Sequence, residues 1–289
     1  MKIKILVPVY NDFESVSKLI NNINSVISNL NGEFSVLIVN DASTDKTEID
    51  VSSINNIKSI KIINMKENRG HARCNAAGLK YIFENEEFDY VIPMDGDGED
   101  RPEEIIKFVE FLKYDDSKPI VGERIKRSED LIFKLSYSVH KLITYVFTGH
   151  SIKFGNYTCL PKSTVEKIIK DKATWSSFSG SLTKLEKNRS TIPSIRGSRY
   201  FGPSKMSFYN LIKHSLSIIA VFKTNVIIRS ILFYLFYLFL ILENLTYVTS
   251  IPLILVVVLV ISVLLISKRE NLDELNNSLL NISNIDNLK

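Results

Sequence analysis

Apolar and polar positions follow two alternating periods along the first 125 residues of the chain. Apolar runs of strand length occupy residues 3–9, 34–39, 57–64, 88–92 and 119–122. The segments between them, 12–30, 43–55, 68–84 and 102–113, are predicted helices, the clearest with apolar residues at three-and-four spacing. This alternation predicts an α/β domain with a mainly parallel, doubly wound sheet.

The pattern changes near the C-terminus. Residues 207–224 carry a broad apolar face and a cationic one, which is typical of a helix lying in a membrane interface. Residues 226–242 and 247–266 are almost continuously apolar and approach the ~20 residues that a membrane-spanning helix needs. Lysine and arginine precede the first run and follow the second, so the positive-inside rule predicts a hairpin with both termini in the cytoplasm.

Four segments are therefore expected: a domain over 1–206, an interfacial helix over 207–225, a transmembrane hairpin over 226–267 and a polar cytoplasmic tail over 268–289. The chain has 36 basic and 32 acidic residues, a balance too even to indicate nucleic-acid binding. The two cysteines show no metal or redox spacing and read as small apolar residues of a reducing compartment. In the tail, one helical apolar stripe and a frayed end are equally compatible with the sequence.

A knot of carboxylates and glycines follows the fourth predicted strand, at residues 95–100. Asp95 and Asp97 flank a glycine that lets the backbone leave the strand, so both can turn oxygens onto one hard cation such as Mg²⁺ or Mn²⁺. Glu99 is a candidate third ligand. Taken alone, the motif is more often a solvated acidic turn.

Two further strand ends carry polar groups suited to a nucleoside. Tyr10 offers a ring for a base and Asp12 an acceptor for ribose hydroxyls, and Asp41 after the second strand can accept an imino proton. Each alone is better explained as a turn or helix cap, but three acidic strand ends in one sheet weigh against that explanation. The sequence contains no glycine-rich phosphate loop, so a divalent cation at Asp95 and Asp97 is the expected holder of a diphosphate.

Four ordered motifs resemble those of family 2 glycosyltransferases: PVYND at 8–12, VNDASTDKT at 39–47, NRGHARCNAAG at 68–78 and DGD at 95–97. The resemblance implies a GT-A fold, a nucleotide-sugar donor of the UDP or GDP type, a divalent metal and inversion at the anomeric carbon. Asp12 and Asn40 stand where the family more often has Glu and Asp. By this resemblance, the nucleoside is held by Pro8, Tyr10, Asp12, Val39 and Asp41, and the metal and diphosphate by Asp95, Asp97 and Glu99.

Basic side chains cluster after residue 122 and again at residues 196–205. Their charge alone fits phosphate binding and a solvated rim facing anionic lipid equally well. The segment RYFGPSK at 199–205 resembles the R-x-x-G-x-S-K segment of the polyprenyl-phosphate branch, the dolichol-phosphate mannose synthase type. That resemblance implies a loop that closes over donor and lipid phosphate. From the position of the cations, we expect Arg124, Arg127, Arg199 and Lys205 to hold an acceptor phosphate alongside the metal, with Asp97 also assigned to catalysis.

The acceptor is indicated by an absence. Family members that glycosylate a hydroxyl carry a Glu-Asp pair as general base, whereas residues 175–181 here read WSSFSGS. A phosphate acceptor is already ionised and needs no base. Residues 154–161, however, depart from the Gly-Phe-Arg stretch associated with the polyprenyl-phosphate branch.

The sequence thus predicts a membrane-anchored inverting glycosyltransferase that acts on a polyprenyl phosphate at the cytoplasmic face of the cell membrane. One alternative is transfer to a sugar or lipid hydroxyl in envelope synthesis, and another is a non-catalytic nucleotide-sugar-binding membrane scaffold. A homo-oligomer is compatible with the sequence, which identifies neither the sugar nor the base.

Overall fold

A mixed β-sheet forms the centre of the molecule. The computed structural model describes residues 1–45, 49–126, 131–203 and 207–289. Within these residues the sheet has eight strands in the order β7-β5-β6-β4-β1-β2-β3-β8. The strands are β1 (Lys2–Val9), β2 (Glu33–Asn40), β3 (Ile57–Met65), β4 (Tyr90–Pro93), β5 (Ile120–Lys126), β6 (Thr158–Pro161), β7 (Ser190–Ile195) and β8 (Ile282–Asn287).

Strand direction determines where the site forms. Strands β3, β2, β1 and β4 run parallel, while β6 lies antiparallel to both β4 and β5. The carboxyl ends of β1, β2 and β4 therefore meet at one edge, which is where open α/β sheets bind ligands. This arrangement confirms the predicted α/β architecture.

Helices cover both faces of the sheet. They are α1 (Phe13–Val26), α2 (His71–Asn85), α3 (Ile105–Phe111), α5 (Lys162–Ile168) and α6 (Phe178–Leu185), with α4 (Leu131–Thr148) between β5 and β6. The apolar stripe of α1 is buried as its spacing predicts, and α3 packs into the same core. Side chains of α2, α5 and α6 fill the core on the opposite face. The two layers hold the strand ends in fixed register.

Two helix predictions differ from the structure. The helix expected over residues 43–55 does not form in its described part, because residues 49–56 are turn and irregular backbone; residues 46–48 lie outside the described residues. Helix α4 was not predicted from the sequence. Two of its apolar side chains, Leu142 and Tyr145, are 62% and 59% exposed to solvent. It packs on the first C-terminal apolar helix, whose Arg229 donates to the carbonyl oxygen of Val146 at 2.9 Å.

Three C-terminal helices follow the α/β layers: α7 (Phe208–Ala220), α8 (Lys223–Ile241) and α9 (Tyr247–Ser267). By length and composition, α8 and α9 can each cross a membrane. Most of their surface is exposed, which distinguishes them from core helices. Helix α8 begins inside the segment expected to be interfacial, and the proposed domain boundaries stay predictions.

The tail is ordered, contrary to both alternatives considered for it. It forms α10 (Leu272–Asn276), a 3₁₀ turn and β8, which pairs antiparallel with the edge strand β3. Leu275 is fully buried with Ala76 and Trp175. The chain after α9 therefore returns to the α/β layers and closes one edge of the sheet.

Candidate active site

The ends of β1 and β2 form a cross-linked pair of loops. Pro8 and Val39 are neighbours across the two strands and are buried, while the ring of Tyr10 is 47% exposed beside them. Asn11 donates its backbone N–H to Ser43 Oγ at 2.9 Å. Three of the five residues predicted to hold a nucleoside thus lie side by side.

Backbone strain accompanies this pairing. Asn11 and Ala42 adopt left-handed conformations, with φ of 50° and 56°. For a residue such as alanine this conformation costs about 1 kcal/mol or more, and strain of this kind concentrates at ligand sites. The side-chain oxygen of Asn11 accepts from the backbone N–H of Thr44 at 2.8 Å, which stabilises the strained pair of loops.

Asp41 anchors the loop that precedes α2. It is 3% exposed, and its two carboxylate oxygens accept from the backbone N–H groups of Arg69 and Gly70, both at 2.8 Å. Gly70 has φ of 90°, a conformation that side chains rarely adopt. The Asn-Arg-Gly motif at residues 68–70 is therefore the hydrogen-bond partner of Asp41. The position of Asp41 after β2 did not suggest that it fixes this loop.

The acidic knot after β4 forms a tight turn. Asp100 accepts from the backbone N–H of Asp95 at 2.9 Å, and Asp97 accepts from that of Glu99 at 3.0 Å. Gly98 has φ of 89° and lies against the ring of Tyr200, so an added Cβ would come within 2.6 Å of that ring. Only glycine fits this turn without displacing the aromatic ring.

The pKa values of the knot respond to crowded negative charge. Burial and the neighbouring charge of Asp95 raise the pKa of Asp97 to about 6 and that of Asp100 to about 7. Burial opposes ionisation of Asp95 too, but the contact with His71 outweighs it and holds the pKa of Asp95 below its usual range. A group of carboxyls that resists full ionisation is an environment that favours a bound cation.

Two arginines of the segment 196–203, here called the basic loop, lie on these carboxylates. Arg199 contacts Asp97 Oδ2 at 2.5 Å and Asp12 Oδ2 at 2.6 Å, and Arg196 pairs with Glu99. The backbone N–H of Tyr200 donates to the carbonyl oxygen of Asp97 at 2.9 Å. The guanidinium of Arg199 therefore bridges Asp12, which is predicted to bind the nucleoside, and Asp97, which is predicted to bind the metal.

The predicted metal ligands are only partly brought together. Glu99 points its carboxylate to Arg196, and in the part of the chain that the structure describes no group of three or more His, Cys, Asp or Glu is arranged to hold a metal ion. Glu99 thus has an arginine partner, and the metal-ligand set stays a prediction, with Asp95 and Asp97 as its remaining candidates. Sequence spacing alone could not indicate that Arg196 pairs with Glu99.

Arg124 approaches the knot from β5. Its guanidinium crosses Gly155, where an added Cβ would lie 2.6 Å from a terminal nitrogen. Its positive charge helps to lower the pKa of both Asp95 and Asp100. Arg127 and Lys205, the other cations predicted on this side, lie outside the described residues.

The structure adds His71 and Asn156, which sequence reasoning missed. His71 Nε2 lies 3.3 Å from Asp95 Oδ1, and Asn156 Nδ2 lies 3.2 Å from the same oxygen. His71 stands inside a quoted motif and Asn156 inside the stretch that departs from the branch pattern. No spacing rule joins two residues so far apart in the chain.

Comparison with known sequences agrees with this geometry. Residues 4–170 match the sequence model described as "Glycosyl transferase family 2". Proteins named undecaprenyl-phosphate 4-deoxy-4-formamido-L-arabinose transferase are similar: that of Salmonella choleraesuis (strain SC-B67) is 30% identical over 217 residues, and that of Klebsiella pneumoniae (strain 342) is 27% identical over 219. Each alignment covers 73% of this chain and 64% of the relative, so the chain spans less than two thirds of their length.

Solved structures share the fold at low sequence identity. Glucosyl-3-phosphoglycerate synthase from Mycobacterium tuberculosis, determined with Mn²⁺, UDP and glucosyl-3-phosphoglycerate, has a TM-score of 0.54 at 12% identity, covering 78% of this chain and 79% of its own. Residues 1–349 of S. aureus TarS, determined with UDP-GlcNAc, have a TM-score of 0.50 at 17% identity, with 80% and 70% covered. These likenesses concern the fold alone.

Proposed function

The chain belongs to glycosyltransferase family 2, and on that premise we propose that it transfers a sugar from a nucleotide diphosphate to a polyprenyl phosphate at a membrane surface. The observation that carries the proposal is the convergence of two acidic strand ends, those of β1 and β4, under the basic loop, which four residues separate from a helix that leads into two apolar helices. A donor site and a lipid site thus share one edge of the sheet.

The nucleoside is assigned to the β1 and β2 ends. Tyr10 offers an exposed ring face for a base, Pro8 and Val39 form the apolar floor, and Asp12 can accept from ribose hydroxyls once Arg199 moves. Asp41 acts first by fixing the loop at Arg69. Both solved neighbours contain a uridine diphosphate group, so the proposed donor is a UDP-sugar.

A divalent cation fits between the diphosphate and the knot. Asp95 and Asp97 present only oxygen ligands, two residues apart around a glycine, and burial together with the charge of Asp95 raises the pKa of Asp97. Such a donor set suits Mg²⁺ or Mn²⁺, which usually keep part of their shell for water and phosphate. When bound, the cation would offset the charge that develops on the leaving diphosphate.

The acceptor is proposed to be a phosphate because arginine and lysine side chains are assigned to this part of the site. An oxygen of the phosphate attacks the anomeric carbon, the bond from that carbon to the diphosphate oxygen breaks, and the nucleoside diphosphate leaves with the electron pair. Arg124, Arg199 and Lys205 are assigned to hold the two anions against their mutual repulsion, by analogy with arginine and lysine phosphate sites. The named substrate of the similar transferases, an undecaprenyl phosphate, supports this class.

Residues 175–181 stand where family members that glycosylate a hydroxyl carry a Glu-Asp pair, and they contain no carboxylate. Trp175 is fully buried, and its indole N–H donates to Glu274 at 2.6 Å. Glu274 also pairs with Arg73 at 3.3 Å, so this carboxylate already has two partners. A pre-ionised acceptor needs no proton removal, which agrees with this arrangement.

The membrane orientation is proposed from chain topology. Residues before α8 form the α/β layers, and β8, after α9, pairs with β3 of the same layers. Both ends of the α8–α9 pair must therefore lie on one side of any membrane that it crosses. Lys223 and Arg229 near one end of the pair, with Lys268 and Arg269 at the other, favour the cytoplasmic side.

The proposal is tested with the full-length protein in detergent, supplied with labelled UDP-sugars and either undecaprenyl phosphate or undecaprenol. We expect a lipid product only from the phosphate, labile to mild acid because it is a glycosyl phosphodiester, and none in EDTA. Lys58→Ala, a surface ion-pair residue, is the control that should retain activity. Product from undecaprenol, or one stable to mild acid, would assign the enzyme to hydroxyl acceptors instead.

A further inference from the structure

One oxygen of Asp95 is contacted by side chains from two separate parts of the chain. His71 Nε2 lies 3.3 Å from Asp95 Oδ1, Asn156 Nδ2 lies 3.2 Å from it, and the two nitrogens lie 2.5 Å apart. The three atoms form a closed triangle. A carboxylate whose one oxygen is held in this way has a defined orientation, because it can no longer rotate freely about its side-chain bonds.

Hydrogen bonds fix the chain next to both His71 and Asn156. His71 is the first residue of α2, directly after Gly70, whose N–H is bound by Asp41. Asn156 precedes Tyr157, a buried residue whose hydroxyl donates to the carbonyl oxygen of Arg101 at 2.7 Å. The triangle therefore rests on fixed elements rather than on free loop ends, as precise sites require.

A buried amide contacts the same imidazole nitrogen that faces Asp95. Asn75 stands one turn along α2, is 1% exposed, and its Nδ2 lies 3.4 Å from His71 Nε2. The arrangement resembles the outer layer of a metal site, where groups that do not bind the ion hold the ligands that do. Asp97 is held comparably, since its Oδ1 accepts from the backbone N–H of Glu99.

We propose that His71 and Asn156 are positioning residues that hold Asp95 by Oδ1 and so leave Oδ2 for the divalent cation. The inference rests on the proposed function, in which Asp95 and Asp97 bind that cation. His71 and Asn156 do not touch the reacting atoms; they act through Asp95. Loss of such supporting groups typically lowers metal affinity about 10- to 100-fold.

The test measures UDP binding by calorimetry to the full-length protein in detergent, with Mn²⁺ and with EDTA. We expect His71→Leu and Asn156→Leu each to weaken binding in Mn²⁺ roughly 10-fold and to leave binding in EDTA unchanged. His71→Gln, which retains a hydrogen-bonding group, should recover most of the loss. The double variant should lose less than the product of the single losses, because both residues hold one oxygen.

Two reference variants make the outcome decisive. Asn85→Ala, at the far end of α2, should bind as wild type, and Asp95→Asn should lose the dependence on Mn²⁺. Normal Mn²⁺-dependent binding by the leucine variants, with Asp95→Asn impaired, would overturn the inference and leave the proposed function standing. A loss that is equal in EDTA would also overturn it. If Asp95→Asn keeps the Mn²⁺ dependence, the metal assignment itself fails.

Discussion

Two C-terminal segments return to the α/β layers, and they are held by different forces. The basic loop, before the apolar helices α8 and α9, is bound through the ion pairs of Arg196 with Glu99 and of Arg199 with Asp97 and Asp12. Two backbone hydrogen bonds, from Gly197 to Glu99 and from Tyr200 to Asp97, accompany these ion pairs. The tail, after the hairpin, is bound through strand pairing of β8 with β3 and through buried Leu275. The arginine ion pairs of the basic loop are contacts that a charged substrate can replace, whereas the strand pairing and the buried leucine of the tail are not.

This difference assigns the two segments different roles. Under the proposed function, a metal ion would take over the charge that Arg199 gives to Asp97, and a ribose would take the place of the guanidinium at Asp12. Arg199 is then free to meet an incoming phosphate, so the basic loop can change partners during a reaction. Among the described residues, the structure shows no contact between the tail, residues 268–289, and the acidic knot, and we interpret the tail as a permanent clasp between helix α9 and the sheet.

The largest expected effect comes from removing the clasp by ending the chain after Arg269. The truncated protein loses an edge strand and the buried Leu275, and a buried leucine alone contributes about 2–5 kcal/mol. We expect the thermal midpoint to fall by roughly 10 °C or more. A chain cut after Thr224 also lacks β8, so it should be less stable than a complete α/β domain.

A matched pair of point variants tests the same clasp. Leu275→Ser replaces a fully buried side chain, and Leu280→Ser replaces one that is 72% exposed five residues later. We expect the first to lower the thermal midpoint clearly and the second to leave it unchanged. Equal midpoints for the two would contradict the role assigned to the tail.

The second effect is on the acidic knot and should separate activity from stability. Asp97→Asn removes a charge that the fold disfavours, because burial and Asp95 raise the pKa of Asp97 to about 6. Stability should therefore not decrease, because removal of the disfavoured charge offsets loss of the ion pair with Arg199. Turnover should fall roughly 100- to 1,000-fold, since the proposed function places that charge at the diphosphate. Radiolabelled transfer assays and thermal unfolding of one preparation measure both quantities.

Arg199→Ala should strengthen the binding of Mn²⁺ but lower turnover. Without the guanidinium, Asp97 Oδ2 is released for the cation, so the Mn²⁺ concentration for half-maximal UDP binding should decrease a few-fold. Turnover should still fall about 10-fold, because a charged hydrogen bond to phosphate contributes roughly 1.5–3 kcal/mol. Arg199→Lys should lie between wild type and Arg199→Ala. An increased Mn²⁺ requirement would show that Arg199 does not compete with the metal.

The same contrast explains what the sequence could predict. The strands up to Gly122 and the acidic knot follow from local period and composition, and the structure places Asp12, Asp41 and Asp95 at one sheet edge as expected. The pairing of β8 with β3 joins residues more than two hundred positions apart, and a polar Asn-rich segment shows no strand period. The contact of Asn156 with Asp95 joins residues 61 positions apart, so it too is revealed only by the fold.

The smallest effect is expected at the junction of tail and α2, where Glu274 accepts from the Trp175 indole and pairs with Arg73. The indole hydrogen bond, with the charge of Arg73, lowers the pKa of Glu274 in the folded state. A carboxyl with a lowered folded pKa stabilises the fold above its unfolded pKa, and that contribution is lost as pH falls through the folded value. Glu274→Gln keeps a hydrogen-bond acceptor for the indole but loses the charge, so it should cost at most about 1 kcal/mol at pH 7, as expected for a partly exposed pair. The difference from wild type in denaturant unfolding should shrink as the pH is lowered below 4. A difference that persists there would show that Glu274 contributes through packing rather than charge.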